Sequence, residues 1–454
     1  MVSDKFRRDL RKEASLWQAE GLIDRAVYEQ LAERYQFDSL ESVASHLFVT
    51  ILLGLGGILM GLGAIAFVAA NWQEWSPGMK LMLLLGFCVG ANGAGFYLWR
   101  SPMEKRQRLG QGLLLLGALI LGALLGQISQ MFHQSGPFYQ LLLIWGLGVL
   151  AMAYSLRMTS LGVMAVLLVA WGYFMGVNEL FSTQEFFWLQ LLLEHMPLLA
   201  GLLLVPLAYW CRSRVIFVLA ALTLIPALFF NSVAFPTIWM VAIACVLPPA
   251  ILWGYDDLLW PKVDSRSFRF LARAIGIIYL SIVFYLCSFN WFWQDFSLSA
   301  SGNNRVWLLL DVAIFSAIAL WEWWQMARPS SRHPHRWGFD LTTSVMAGLI
   351  VVTASVFLWQ DSSIFVPELA TFIFNLLLFL LAAGLIRVGL LRGGRGSFWG
   401  GMVLLTLQII SRMLEYNTEL LLKSLVLVLC GVGVIAAGLW FERHLSTVKP
   451  SEED

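Results

Sequence analysis

Residues 100–128 read RSPMEKRQRLGQGLLLLGALILGALLGQI, a basic segment followed at once by an apolar run. The basic part contains Arg100, Lys105, Arg106 and Arg108. The run after it has about 20 residues, which is the length a helix needs to cross the hydrocarbon layer of a bilayer. Basic segments beside a spanning helix stay on the cytoplasmic side. This stretch therefore predicts a transmembrane helix that starts in the cytoplasm.

The same alternation of basic and apolar segments continues along the chain. Of the 30 Lys and Arg residues, 26 lie in every second gap between apolar runs. The exceptions are Lys80, Arg305, Arg412 and Lys423. Because short basic loops are retained in the cytoplasm, the pattern predicts an even number of spans with the N- and C-termini both cytoplasmic.

The apolar runs predict an all-α fold, a polytopic membrane bundle of about 14 transmembrane helices with a short N-terminal helical hairpin. The predicted spans are His46–Ala70, Gly78–Trp99, Leu109–Ile128, Phe138–Leu156, Ser160–Val177, Met196–Cys211, Val215–Phe230, Pro236–Gly254, Leu271–Phe289, Val306–Met326, Leu341–Trp359, Val366–Ile386, Phe398–Leu414 and Leu420–Phe441. The domain organisation expected from them is a cytoplasmic hairpin at 1–45, a transmembrane bundle at 46–445 and a disordered cytoplasmic tail at 446–454.

Composition and motifs narrow the function classes. The chain is 59% hydrophobic and 13% charged, with a mean hydropathy of +0.73, whereas soluble domains carry about 25% charged residues. A net charge of +1 gives no field that would attract nucleic acid. The five cysteines include no CxxC pair, so no zinc site is indicated, and no other metal or cofactor is expected. Walker loops, HExxH and a nucleophile elbow are absent from the sequence, so an enzyme is not indicated.

The N-terminal head, residues 1–45, is too polar for a signal peptide and predicts two short helices. Gly21 suits the left-handed end of the first helix, and we expect Trp17 near this turn to pack against Tyr28 and Leu31 of the second. Two roles stay open for the head. It is either a hairpin that docks a cytoplasmic protein partner, or a basic segment held on anionic lipid.

Several segments of the N-terminal third occur together in a recognisable order. They are Trp17 to Tyr35 with Gly21-Leu22-Ile23 at the turn, Phe67-Val68-Ala69-Ala70-Asn71-Trp72, Lys80, Gln130-Met131-Phe132-His133 with Gly136, and Trp145. Over residues 15–155 this set resembles a family of bacterial multi-pass membrane proteins catalogued as domain of unknown function 2157. The resemblance implies an integral membrane protein without an established activity.

The family segments and the topology together predict a polar rim at the outer ends of the first three spans. Its candidate residues are Asn71, Trp72, Lys80, Gln127, Gln130 and His133. The alternative is structural. Polar side chains can satisfy helix ends, Lys80 can extend to the interface, and glutamine commonly joins membrane helices by hydrogen bonds.

Asp311, Arg412 and Lys423 are charged residues inside predicted spans. A charge in mid-bilayer costs about 2.5 kcal/mol or more, so such residues are usually paired or line a polar path. All three lie at similar predicted depth, which predicts that Asp311 pairs with Arg412 or Lys423 inside the bundle. In the alternative, both bases extend to the interface and Asp311 caps a wet crevice.

Glu194 and His195 form a further candidate pair beside Pro197. If residues 186–210 are one long span, proline opens the helix beside two ionisable groups, as in the broken helices of transporters. In the simpler interpretation, which we favour, Glu185–Glu194 is an interfacial helix that leads into a short span.

Together these features favour a secondary transporter or flippase-like carrier in the plasma (inner) membrane. The alternative is a non-transporting scaffold or sensor whose N-terminal head docks a cytoplasmic partner. The two differ in one property, because transport requires a continuous polar cavity near the middle of the membrane, whereas a scaffold can be dry throughout. The partners expected are the lipid bilayer and, at the head, a cytoplasmic protein or anionic lipid.

Overall fold

The computed structural model of the protein describes residues 4–35, 59, 74–132, 136–178, 188–233, 237–256, 268–294, 307–328, 340–360, 362, 364–415 and 420–448. Within these ranges all regular secondary structure is helical, and no β-strand occurs. The chain divides into two compact units, Met1–Leu84 and Leu85–Asp454.

The N-terminal unit begins with two helices. They are α1 (Asp4–Ala19) and α2 (Arg25–Tyr35). Gly21, between them, has a φ of +76°, and the Leu22 N–H donates to the Trp17 carbonyl at 2.8 Å. Two helices with a left-handed glycine between them lie where the sequence predicts them. The packing of Trp17 on Tyr28 and Leu31 stays a prediction.

The remaining helices follow in chain order. They are α3 (Pro77–Trp99), α4 (Glu104–Met131), α5 (Phe138–Leu156), α6 (Thr159–Gly176), α7 (Trp188–Glu194), α8 (Met196–Trp210), α9 (Arg214–Val233), α10 (Ile238–Gly254), α11 (Arg269–Cys287), α12 (Asn290–Gln294), α13 (Trp307–Ala327), α14 (Leu341–Trp359), α15 (Pro367–Arg392), α16 (Arg395–Glu415) and α17 (Leu420–Val448).

Ten helices of the described ranges are long and apolar enough to cross a membrane. They are α3 to α6, α9, α11 and α14 to α17. The apolar helices α8 and α10 are shorter. The predicted span His46–Ala70 lies outside the described residues, and the total of fourteen stays a prediction.

Among the described residues, the Leu85–Asp454 unit contains two large hydrophobic clusters and a small third one around Phe398, Met402 and Phe441. The first is built by α4 to α11 together with α13, and the second by α10, α11, α12, α14 and α15. Helix α10 belongs to both clusters because it packs against α9, α11, α13 and α14. It therefore joins the two halves of the core, and α13 lies directly beside it.

Helices α7 and α8 are separated by a break at His195. Backbone hydrogen bonding continues on both sides, from the His195 N–H to the Leu191 carbonyl at 3.0 Å and from the Leu199 N–H to the His195 carbonyl at 2.9 Å. Pro197 follows at the start of α8 and has no N–H to give, which favours a break here. The next turn, Ala200–Leu204, is π-helical. The segment thus consists of two separate helices, the second with an irregular turn.

Candidate functional site

Helix α13 carries two buried carboxylates on one face. Asp311 is fully buried and Glu322 is 4% exposed. Glu322 follows Asp311 by eleven residues, about three turns of an α-helix, so both side chains leave the same side of α13. At 1.5 Å per residue they are separated by roughly 16 Å along the axis. One helix therefore places one acid near each of its ends.

At the first end, Asp311 binds the histidine in the break between α7 and α8. Its Oδ1 lies 2.7 Å from Nδ1 of His195, whose side chain is 21% exposed. Either atom of this pair can carry the shared proton, depending on the tautomer and charge of the imidazole. The Leu198 backbone N–H also approaches the carboxylate, while Oδ2 has no hydrogen-bond partner among the described residues.

The helix break also explains a second buried polar contact. Asn231, near the end of α9, donates from Nδ2 to the Glu194 backbone carbonyl at 2.7 Å. A broken helix leaves carbonyls without their usual partners, and a side-chain amide can satisfy one. Asn231 is fully buried and Glu194 is 7% exposed. The Asn231–Glu194 contact and the His195–Asp311 pair therefore both lie at the helix break, and we call these four residues the histidine–aspartate cluster.

An aromatic side chain lies on the same face of α13 between the two acids. Phe315 is buried and packs against the π-helical turn of α8. A Cβ added to Gly201 of that turn would lie 3.0 Å from the Phe315 ring, so the glycine allows this close approach. Single π-helical turns often occur at functional sites because they disturb regular hydrogen bonding. The irregular turn thus lies beside the part of α13 between Asp311 and Glu322.

At the second end, Glu322 lines a cavity of about 290 Å³ between the ends of α10, α11, α13 and α14. The polar residues that line this arginine–glutamate pocket are Asp256, Arg269, Arg273, Glu322, Gln325, Asp340 and Thr343. The alternation of basic segments predicts that this end of the helices faces the cytoplasm. Neither Glu322 oxygen has a hydrogen-bond partner within the described residues.

Neighbouring groups define the shape of the pocket. The Arg273 guanidinium lies 5.0 Å above the Trp253 ring. Asp340 caps α14, because its Oδ1 accepts the Leu341 N–H at 3.0 Å. Gly254 leaves room for Glu322, since a Cβ there would lie 2.9 Å from Oε2. Sequence reasoning did not identify Glu322, although a second acid three turns after Asp311 in the same predicted span was a usable signal.

Asp311 does not pair with the bases that the sequence suggested. In the described structure its ion-pair partner is His195, whereas Arg412 pairs with Glu415. No ion pair joins Asp311 to Arg412 or Lys423 within the described residues, and the cluster of these three residues stays a prediction. Equal depth along the chain does not make helices neighbours, and α13 packs on α9 and α10 while α16 packs on α15.

Arg412 instead belongs to a separate polar group, the Arg412 network. It comprises Ser288, Asn375, Gln408, Arg412 and Glu415. Arg412 donates to the Ser288 carbonyl at 2.6 Å and lies 4.4 Å from the centre of the Phe289 ring. Asn375 donates to the same Ser288 carbonyl at 3.0 Å, and Gln408 donates to the Asn375 carbonyl at 2.8 Å. The network connects α11, α15 and α16.

The predicted polar rim is only partly described. Asn71, Trp72 and His133 lie outside the described residues. Lys80 belongs to the N-terminal unit, whereas Gln127 and Gln130 lie on α4, where Gln127 is buried. The rim stays a prediction. Within the described residues no group of three or more His, Cys, Asp or Glu side chains is placed to hold a metal ion.

The comparison with known families concerns the N-terminal third. Residues 15–162 match the model of a family described as predicted membrane protein (DUF2157), which confirms the resemblance over that part of the chain. Trp145 of this region donates to the Ala118 carbonyl at 2.7 Å and packs against Gly122. No curated protein and no solved structure matches the chain. This match and the ten apolar helices of the described ranges indicate a multi-pass integral membrane protein.

Proposed function

We propose that this protein is a proton-coupled secondary transporter in which α13 carries the two proton-binding groups. The observation that supports this proposal is the pair of buried carboxylates, Asp311 and Glu322, on one face of one helix. The sequence predicts that α13 spans the membrane, and ionisable residues inside membrane helices are costly and usually belong to ion or substrate paths.

The two acids differ in what they bind. Asp311 shares a proton with His195, so this end can bind or release a proton within an existing hydrogen bond. Glu322 opens into a cavity and is available for a proton or a ligand. Each end therefore has a group that can change its charge.

Between the acids, Phe315 separates the two ends. Its contact with the π-helical turn of α8 places an apolar barrier beside a backbone segment with irregular hydrogen bonding. Discontinuous helices in transporters serve as binding sites and as gates. In this mechanism, a shift of the π-helical turn relative to Phe315 opens one end while the other end closes.

The proposal is tested by charge movement without any added substrate. The full chain in liposomes on a solid-supported membrane is exposed to pH jumps, and the transient current is recorded. We expect a protein-dependent current that Asp311→Asn and Glu322→Gln each reduce at least about fivefold, because a buried carboxylate that binds a proton moves charge within the membrane field. Glu368→Gln is the matched control, since Glu368 lies exposed in the first turn of α15.

The folded state of each variant is checked by its elution profile and melting temperature in detergent. Full current in both variants, or no current above that of empty liposomes, would overturn the transporter proposal. Either result would leave the scaffold or sensor as the better description.

A further inference from the structure

We propose that the arginine–glutamate pocket binds a small molecule or lipid headgroup that carries both a primary ammonium and a phosphate or carboxylate. The ammonium binds Glu322, and the anion binds Arg273 and Arg269. Any role of this ligand in transport rests on the proposed function. The binding itself is argued only from the residues of the pocket.

The cation-binding side is indicated by the state of Glu322. Its carboxylate is 4% exposed, lines the cavity and has no hydrogen-bond partner for either oxygen among the described residues. Burial of a polar group without a hydrogen-bond partner costs free energy, because the group loses its hydrogen bonds to water and gains none in the protein. A primary ammonium has three donors and can bond both oxygens, and charge-assisted bonds of this kind are about twice as strong as neutral ones. Gly254 keeps the space beside Oε2 open.

The anion-binding side is indicated by the two arginines at the start of α11. Arg273 is held in place by the Trp253 ring, and its Nε is buried without a hydrogen-bond partner in the described structure. The planar guanidinium matches phosphate and carboxylate oxygens in pairs. Asp340 is nearby, but its two oxygens accept from the Leu341 N–H and the Thr342 hydroxyl, so it is already engaged as a helix cap.

The size and charge of the pocket fit a small dipolar ligand. A cavity of about 290 Å³ is equivalent to about ten water molecules at roughly 30 Å³ each. That is enough for a molecule such as O-phosphoethanolamine. A simple cation would lie in the same pocket as Arg269 and Arg273, and a simple anion would lie beside the buried Glu322 carboxylate. A ligand with both charges satisfies both sides.

Binding is measured by isothermal titration calorimetry on the full chain in detergent, with O-phosphoethanolamine, ethanolamine and inorganic phosphate as separate probes. We expect O-phosphoethanolamine to bind at least about tenfold more tightly than either fragment, because it makes both sets of contacts in one event. Glu322→Gln and Arg273→Gln should each weaken this binding about tenfold or more. Arg328→Gln should leave it unchanged, because Arg328 stacks on Trp324 at 3.8 Å and does not line the pocket.

A second arm identifies the source of the ligand. The same titration is repeated in nanodiscs of phosphatidylcholine with and without phosphatidylethanolamine. Loss of O-phosphoethanolamine binding in phosphatidylethanolamine discs assigns the pocket to a lipid headgroup, and unchanged binding assigns it to a soluble ligand. Both results support the site. The proposal is overturned if no probe binds, or if Glu322→Gln binds O-phosphoethanolamine as tightly as the natural chain does. Since no gradient is applied, that failure is independent of the pH-jump currents.

Discussion

The Arg412 network and Glu322 of helix α13 both place ionisable side chains among apolar helices. They differ in whether those side chains have partners among the described residues. Arg412 and Glu415 are 13% and 17% exposed and form an ion pair with each other. The Glu415 Oε1 also accepts the Asn290 N–H at 3.0 Å, and Arg412 binds the Ser288 carbonyl. On α13, by contrast, Glu322 is more deeply buried and has no hydrogen-bond partner in the described residues.

This difference distinguishes the Arg412–Glu415 pair, which stabilises the fold, from the Glu322 carboxylate, which does not. A buried ion pair with good hydrogen bonds is strongly destabilised when one partner is removed, since the other is left buried alone. A buried carboxylate without partners already carries that cost in the native state. Such a group is retained despite its effect on stability, which is typical of functional sites.

The largest effect is expected for Arg412 and Glu415, which form an ion pair with each other. Arg412→Gln leaves the Glu415 carboxylate without its cation, and we expect the free energy of unfolding to fall by about 3 kcal/mol. Denaturant unfolding in detergent measures this loss. Lys423→Gln is the control, because Lys423 has the same predicted depth, and it should change the free energy by less than about 0.5 kcal/mol. Equal losses in both variants would show that the Arg412 network stabilises the fold no more than Lys423 does.

A smaller effect is expected for Asp311, whose Oδ1 binds His195 while its Oδ2 has no hydrogen-bond partner among the described residues. In a double-mutant cycle of His195→Gln and Asp311→Asn, we expect a coupling energy of about 1–2 kcal/mol, because the two side chains share one hydrogen bond at 2.7 Å. The cycle of Asp311→Asn with Arg412→Gln should give a coupling near zero, since the structure shows no contact between these two described residues. The reverse outcome would restore the pairing that the sequence suggested.

The sequence predicts well what depends on local composition. The predicted span Phe138–Leu156 coincides with α5, because an apolar run of membrane length has few alternatives to a helix. The broken helix at Pro197 was also among the interpretations that the sequence left open. A proline beside two ionisable residues is a local signal, and the structure has its break at His195.

What the sequence does not predict is which helices become neighbours. His195 and Asp311 are 116 residues apart, and nothing in either segment indicates the other. The network of Arg412 likewise depends on the packing of α16 against α15 and on the position of Ser288 at the end of α11. The π-helical turn has no sequence signal of its own, because its residues Ala200–Leu204 are ordinary for a membrane helix. Which side chains pair across the bundle depends on how the helices pack, and the periodicity of one segment does not predict it.

The smallest change in stability is expected at the least satisfied group. Glu322→Gln keeps the shape of the side chain and removes a buried carboxylate that makes no hydrogen bond to the described residues. We therefore expect the free energy of unfolding to stay the same or to rise by up to about 1 kcal/mol, because the cost of burying the charge disappears. The same unfolding experiment as for Arg412→Gln measures it, with Glu322→Ala as a control that opens a cavity and should be less stable. A loss of about 2 kcal/mol or more in Glu322→Gln would mean that the carboxylate stabilises the fold as Arg412 does.

A variant that is fully stable yet lacks ligand binding and charge movement would instead show that Glu322 is retained for function at the expense of stability.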